Sequence, residues 1–516
     1  MVAVAGGRSG AARFAYRVYS ITPFELIDRA ARAAHRTSKT VKDPILAELH
    51  RMTAYRFDFD LSEHLDQWQT RTEQVLTFCD AAMADGISDE DLAELLFHAL
   101  ILVFHPNVSQ GTVPSPFVES PLEAGRILSH RCMQLLRSDL SGDAADEESA
   151  GLFPVRASDE PVHLLVMTET NFNFMGPILD TWRHDPSVSL RVRDLSSEDV
   201  DSSWWSPQNT ILDRIRGSSP TPPAFLVEDL EWADVVFLEW SQALAARLSG
   251  VRLRGRLVIR LHRYEAFTQE PTLTDWRNVD ELIIITPYMR ELLDRTLPGV
   301  AMKTSISMVP NVIELQGLRE RKLAVASRTL ALIQYGSIVK DPIWALDVLE
   351  ILRRTDPSWR LLLVGAAPNT LAADEATIRY FTAFERRLAQ FDGSVQRLGH
   401  RDDLPDVLRE VGFILSTSRV EGAPVSLLEG IASGAIPVVR DWPIVRAIGG
   451  AAALYPAEWI VETPEDAARR ILDQAPDSDT GLEAREYLDW AARHSDSSVN
   501  LSALNQVVFG TQTRLD

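Results

Sequence analysis

Between residues 162 and 456 one pattern recurs: a short, mostly apolar run, then an amphipathic stretch of helical period. The first six runs are VHLLVM (162–167), VSLRV (188–192), DVVFL (234–238), RLVIRLH (256–262), ELIIIT (281–286) and SISMVP (305–310). The second six are LALIQYG (330–336), WRLLLVG (359–365), SVQRLG (394–399), VGFILST (411–417), AIPVVR (435–440) and AALYP (452–456). Runs apolar on both faces read as parallel strands covered by helices. Two sets of six, with stretches such as PIWALDVLEILRRT between them, predict an α/β chain with two doubly wound, Rossmann-like domains facing a cleft.

The rest of the chain reads differently. Over residues 1–140 apolar residues recur at helical spacing, as in FELIDRAARAAH, DPILAELHRMTAYRF and DLAELLFHALILVF, which predicts a helical bundle used for docking or oligomerisation. Residues 141–160 are acidic, small and aperiodic, as a solvated linker should be. The two α/β domains then occupy 161–320 and 321–480, and 481–516 forms a helical tail. At 516 residues the chain can bury several cores. Its formal charge of -21 excludes broad attraction to nucleic acid. Two cysteines, Cys79 and Cys132, indicate neither a disulfide framework nor a thiolate metal site, so a reducing, cytoplasmic compartment is expected. The run Ala93 to Phe104 is too short and interrupted to span a bilayer, and no secretory signal is read at the start. The first 60 residues hold ten Lys and Arg against six Asp and Glu. That basic, amphipathic segment leaves peripheral membrane contact open beside the favoured reading, packing on the other domains or a homo-oligomer contact.

The stretch EGAPVSLLEGIASGAIPVV, from Glu421 to Val439, places two carboxylates eight residues apart among small and apolar neighbours. Glu421 comes four residues after the strand VGFILST, where ligands of such sheets sit. Pro424 suits the first turn of a helix, and Gly434 and Pro437 end it. The amides around Ala423, Val425 and Ser426 at that helix start form an anion cradle, and Gly422 removes a side chain that would block close approach. One anion site between two hydroxyl-reading carboxylates matches a ligand with sugar, diphosphate and ribose in a row.

The string SRVEGAPVSLLEGIASGAIPVV closely resembles the E-x7-E signature of the retaining, nucleotide-sugar-dependent glycosyltransferases of family four, which have the GT-B fold. Ser418, Glu421, Gly422, Pro424, Glu429, Ala432, Gly434, Pro437 and Val438 stand where the signature wants them, and Gly430 replaces a usual alanine. Weaker echoes cover about 162–510, including VVFLEW, RLVIRLHRYE, VPNVIE, YGSIVKDP, LLVGAAP, VQRLGHRDDLP and a tail, EAREYLDWAARHSD, of the kind that packs back across the domain interface. The helical region lies outside the resemblance.

The resemblance implies a donor site in the second domain. Glu429 would hold the ribose, Glu421 the donor sugar and Lys340 the phosphates, with His262 close to the bond that breaks. Gly365 and the loop Gly399, His400 and Arg401 would line the base. It further implies retention of configuration, no metal and no cofactor beyond the nucleoside-diphosphate sugar as co-substrate. Three departures are visible. Gly336-Ser337 lacks the arginine that relatives place on the diphosphate, leaving Arg263, Arg419 or Arg440 to supply it. The turn after the first strand offers only Gly176, and a G-x-G-P motif has become Gly365-Ala-Ala-Pro368.

Bland readings compete for several features. A strand-end histidine is often a bonded core residue, and Lys340 could be a surface charge at a helix start. Asp58-Phe-Asp60 and Asp477-Ser-Asp479 read as caps or loops rather than a metal-diphosphate site, and Trp204-Trp205 as a surface plug more than an acceptor contact. The leading reading is a retaining glycosyltransferase acting on a hydroxyl acceptor, whether glycan, lipid-linked or protein, in glycan, polysaccharide or glycoconjugate synthesis. The alternatives are a non-catalytic glycosyltransferase-like subunit, a nucleotide-sugar epimerase or phosphorylase on the same scaffold, and a nucleotide-sugar sensor.

Overall fold

A computed structural model of the chain describes residues 65–137, 160–315, 317–318, 321–369, 375–475, 485–494 and 497–510. The basic segment before residue 61, both D-x-D strings and most of the acidic linker lie outside the described residues.

The two sheets bear out the doubly wound reading. Strands β1 (Val162–Thr168), β2 (Val188–Asp194), β3 (Val235–Glu239), β4 (Arg256–Leu261), β5 (Glu281–Ile284) and β6 (Ser305–Met308) form one parallel sheet in the order β2-β1-β3-β4-β5-β6. Strands β7 (Thr329–Ile333), β8 (Arg360–Val364), β9 (Val395–Gly399), β10 (Phe413–Ser416), β11 (Ile436–Arg440) and β12 (Ile460–Val461) form a second, in the order β12-β11-β10-β7-β8-β9. Two parallel, helix-covered sheets of this kind give the chain the GT-B architecture. Strand order reverses between β1 and β3 in the first lobe and between β7 and β10 in the second, the points at which sheets of this kind hold ligands.

Two strand readings need correction. The run Ala452 to Pro456 is not the last strand: Gly450–Ala453 is a 3-10 turn entered through Gly449 at φ +106°, and the strand is Ile460–Val461, paired with Val439 and Arg440. The run AALYP has no β-branched residue, and two alanines and a closing proline gave it little reason to extend. Nor is every strand buried: β2 and β6 are edges, and no residue of β2 is fully buried.

Helices α1 (Leu65–Ala84) and α2 (Asp89–Val103) build the core of the helical region. Ser88 caps α2 by accepting from the Asp91 amide, and three acidic residues in its first turn suit the helix dipole. The segment from Asp89 to Ser109 is long and apolar enough to cross a membrane, yet 94% of it is buried within the fold. It is a core helix: Leu95, Leu96, Leu100 and Leu102 are each 2% exposed or less, and burial of each contributes about 1.5–3 kcal/mol. One face packs on α1 and another on the first-lobe helix Pro207–Arg216. Cys79 and Cys132 are buried, free thiols in this region.

Helix α3 (Gly176–His184) covers the first sheet, α4 (Ala243–Leu248) follows β3, and α5 (Tyr288–Thr296) follows β5. In the second lobe α6 (Pro342–Thr355) follows β7 and α7 (Val425–Ala432) follows β10. The chain then uses both lobes: Tyr487 and Trp490 of α8 (Arg485–His494) pack among Tyr455 and Trp459. Leu504 and Val508 of α9 (Ser497–Phe509) join the first-lobe core, and Asn505 accepts from the Trp182 indole at 2.8 Å.

Candidate active site

In the second lobe the two chain segments at the β7/β10 reversal are stitched together. After β7 the backbone turns through Gln334 (φ 63°), passes Gly336 and Ser337, makes a 3-10 turn at Ile338–Lys340, and enters α6 through Asp341 (φ 44°). Gly336 is required there, because a Cβ would stand 2.5 Å from the Ala366 carbonyl oxygen. After β10 the Thr417 hydroxyl donates to the Lys340 carbonyl, and the Arg419 amide donates to the Val339 carbonyl at 2.8 Å.

This arrangement puts Lys340 against Glu421. The ammonium donates to Oε1 at 2.6 Å and the Ser418 hydroxyl donates to the same oxygen at 2.6 Å. Burial alone would raise the Glu421 pKa. The Lys340 charge, the two hydrogen bonds and the nearby Arg263 outweigh it and hold the carboxyl below the ordinary glutamate value. Glu421 is therefore an ionised acceptor. Its backbone carbonyl is bonded by the Tyr288 hydroxyl of the first lobe, so the carboxylate stands where the lobes meet.

Helix α7 begins immediately beyond. Pro424 caps it without a side-chain acceptor, leaving the first-turn amides at Val425 and Ser426 with no side-chain cap. Glu429, one turn in, is half-buried, and no side chain among the described residues pairs with it. Burial pushes its pKa up to about 7. Gly422 faces protein: a Cβ would meet Arg263 Cβ at 3.0 Å and Ile285 Cδ1 at 3.1 Å, so the glycine admits the opposite lobe. The departure at Gly430 also has a cause, since a Cβ there would reach 2.4 Å from Ile414 Cγ1 of β10.

Asp341 organises the remaining cations. It accepts from Arg440 at 2.7 Å, Arg419 at 3.3 Å and the Tyr380 hydroxyl at 2.5 Å. That clamp explains how a non-glycine residue is held at positive φ. Of the three candidates to replace the missing arginine, Arg419 and Arg440 are thus tied to a carboxylate. Arg263 donates to the Ser109 carbonyl and, among the described residues, makes no ion pair.

The first-lobe contribution is more buried. His262 is 3% exposed; its Nε2 lies 2.8 Å from Glu239, and its ring is flanked by Trp240 and Phe174 at centroid distances of 4.2 and 5.1 Å. Burial lowers its pKa, opposed by Glu239, and the imidazole is neutral. Arg260 completes the cluster, 3.5 Å from Glu239 and 2.5 Å from Asn311 Oδ1. Glu239, Arg260 and Asn311 were not singled out in the sequence. Glu239 ends VVFLE, and a charge closing an otherwise apolar strand was the available signal.

The remaining candidates scatter. Gly365 (φ +110°) and Gly399 (φ +67°) turn the chain after β8 and β9, and the Gly365 amide donates to the Gly399 carbonyl at 2.7 Å. His400 and Arg401 are exposed or nearly so, paired locally with Asp402 at 3.3 Å and Asp403 at 2.6 Å. Ser337 is exposed, Ala423 half-buried, and a Cβ at Gly176 would meet open space. Trp205 is buried, and Trp204 donates to the Thr221 carbonyl at 2.7 Å beneath the Arg247 guanidinium, so both are structural.

Residues 331–474, nearly the whole second lobe, match the family model described as Glycosyl transferases group 1. A GDP-mannose:cellobiosyl-diphosphopolyprenol α-mannosyltransferase of Xanthomonas oryzae pv. oryzae is 23% identical over 144 residues. That match covers 28% of this chain and 37% of the relative, so it spans well under half of the curated protein. The Xanthomonas campestris enzyme of the same name matches to the same extent. Among solved structures, Anabaena HepE in complex with UDP and glucose aligns over 68% of this chain and 100% of its own, with 14% identity and a TM-score of 0.49. A UDP-forming α,α-trehalose-phosphate synthase from Burkholderia xenovorans aligns over 68% and 99%, with 13% identity and a TM-score of 0.47.

Proposed function

We propose that the chain is a retaining glycosyltransferase that moves a sugar from a nucleoside-diphosphate sugar to a hydroxyl acceptor, without a metal. The observation that carries this reading is the Lys340–Glu421–Ser418 constellation between the uncapped start of α7 and the opposite lobe. Glu421, kept ionised, accepts hydrogen bonds from donor-sugar hydroxyls. Lys340 and the amides of Val425 and Ser426 meet the diphosphate, and Arg263, reaching from the first lobe, supplies the guanidinium missing at Ser337. Glu429 takes the ribose hydroxyls.

The chemistry follows from charge development. As the glycosidic bond breaks, negative charge grows on the departing diphosphate, and donors already aimed at it lower the barrier. The departing phosphate oxygen takes the acceptor proton on the face it leaves, which retains configuration and needs no protein base. Neutral His262, held by Glu239 between two aromatic rings, presents a fixed polar edge beside the sugar.

A thermal-shift series with UDP, GDP and dTDP tests the reading. A nucleotide at about 100 times its Kd stabilises the fold by about 2.7 kcal/mol. We expect one diphosphate to raise the Tm of the wild type and to lose most of that effect in Glu429→Ala. No response to any of the three would overturn the proposal.

A further inference from the structure

A cleft of about 370 Å³ lies between the helical region and the first lobe, within the size range of small-molecule sites. One wall is Phe97, Ile101 and Phe104, from α2 and its end; the other includes Glu169, Tyr264 and Glu270. Glu169 directly follows β1, and Tyr264 lies two residues beyond His262, so the cleft opens at the β1/β3 reversal of the first sheet. We propose that the helical region completes the acceptor site, and that this cleft takes a neutral, hydroxyl-bearing ring with an apolar face, a glycoside, and rejects an anionic acceptor group. The proposal rests on the glycosyltransferase reading above.

Three observations support it. First, no Lys, Arg or His lines the cleft, so a phosphate placed there would lose its hydration with no cation to offset the cost. Glu169 accepts from the Leu244 amide at 2.6 Å, and burial pushes its pKa up to about 7, with Glu270 adding to the rise. Glu270 is likewise raised by burial. Both groups suit hydrogen bonds with sugar hydroxyls. Second, the facing aromatic and aliphatic wall suits the C–H face of a sugar ring. Third, the helical region reaches the donor loops. Ser109 accepts from Arg263, and Gly111 (φ +67°) packs so closely that a Cβ would come 3.1 Å from Val339 and 2.7 Å from Val420, the neighbours of Lys340 and Glu421. One segment therefore borders both the cleft and the donor site.

The test uses the full-length chain, with saturation-transfer NMR on p-nitrophenyl hexosides and on glucose 6-phosphate. Thermal shift with nucleoside diphosphates is measured in parallel. We expect hexoside signal in the wild type, little from glucose 6-phosphate, and loss of the hexoside signal in Ala243→Trp, which fills the cleft. The Glu169→Gln/Glu270→Gln double variant preserves shape, and we expect it to weaken hexoside binding about tenfold. Wild-type hexoside signal in both variants, preference for glucose 6-phosphate, or no hexoside binding would overturn the proposal. Hexoside binding with no nucleotide response would instead overturn the transferase reading and leave the cleft assignment standing.

Discussion

The two lobes share one winding plan and differ in what they place at the reversal of strand order. The second lobe gathers ion pairs there: Lys340 on Glu421, and Arg419 and Arg440 on Asp341, around a single loop junction. The first gathers acids, with Glu169, Glu265 and Glu270 all raised by burial and Glu239 held down by Arg260 and His262 against its own burial. A net charge of -21 does not reveal this division, because it lies in which side chains the strand ends deliver to each crevice. On the proposed reading, the second crevice takes the anionic leaving group and the first a neutral hydroxyl compound.

The sharpest break of that comparison comes from the first lobe. Glu239→Ala leaves Arg260, 1% exposed, without its ionic partner, and loss of one member of a buried pair costs about 3–5 kcal/mol. We expect a drop in stability of that size by urea denaturation. A cost below about 1 kcal/mol would show that Asn311 alone satisfies Arg260 and that the cluster is not what fixes His262.

Glu421→Ala addresses the second lobe, and the expected effect is on turnover. Loss of a group that acts on the reacting sugar typically costs about 10²–10³ in kcat. Diphosphate affinity should hold or rise, because Lys340 loses its competing carboxylate. Steady-state kinetics combined with calorimetry separates the two; equal losses in both would move Glu421 from the sugar to the nucleotide.

A smaller effect tests how the cradle is held in place. Gly430→Ala drives a methyl into Ile414, and overpacking of this kind costs about 1–3 kcal/mol. Ile414→Val should recover part of it. If Gly430→Ala alone is neutral by thermal denaturation, α7 can shift on β10, and the helix start is not rigidly aimed.

Much of this was legible in the sequence, for physical reasons that also mark the limits. Eleven of the strand runs lie where apolar patterning put them: the central parallel strands, covered on both sides, are largely apolar, and the edge runs β2, β6 and β9 keep enough apolar residues to be read although they are not fully buried. The twelfth strand, Ile460–Val461, is two residues long and too short to carry a period. Glu421 and Lys340 were legible as single residues, whereas their pairing was not, since 81 residues separate them and only sheet order joins β7 to β10. Gly422 read as an opening for ligand because a glycine shows that something approaches closely, not what; the structure puts Arg263 and Ile285 there. Packing of the helical region on the other domains was among the favoured readings and is what the structure shows, but the particular contacts at Ser109 and Gly111 depend on tertiary placement that local patterns do not encode.

The last test is the pH response of Glu429, an acid of the second crevice raised by burial as Glu169 is in the first. Its carboxyl has a folded-state pKa of about 7, raised from 4.5 by burial. Between those values the native state holds a proton that the unfolded chain releases, so this group's stabilising contribution is fully present below about pH 4.5 and is lost as pH rises through 7. Glu169 acts in the same direction, so wild-type slope alone is not diagnostic. The difference between wild type and Glu429→Gln isolates the one group, and we expect a Tm difference on the order of 2 °C to develop between pH 5 and 8. Ligand binding should run the opposite way. Ribose hydroxyls donate to the ionised carboxylate, so nucleoside-diphosphate affinity should tighten by up to about tenfold from pH 6 to 8. The phosphate's own ionisation contributes equally to both proteins, and the Glu429→Gln variant removes it from the comparison. An identical pH profile of affinity in the two proteins would place the ribose elsewhere and leave Glu429 as a buried acid of the α7 face.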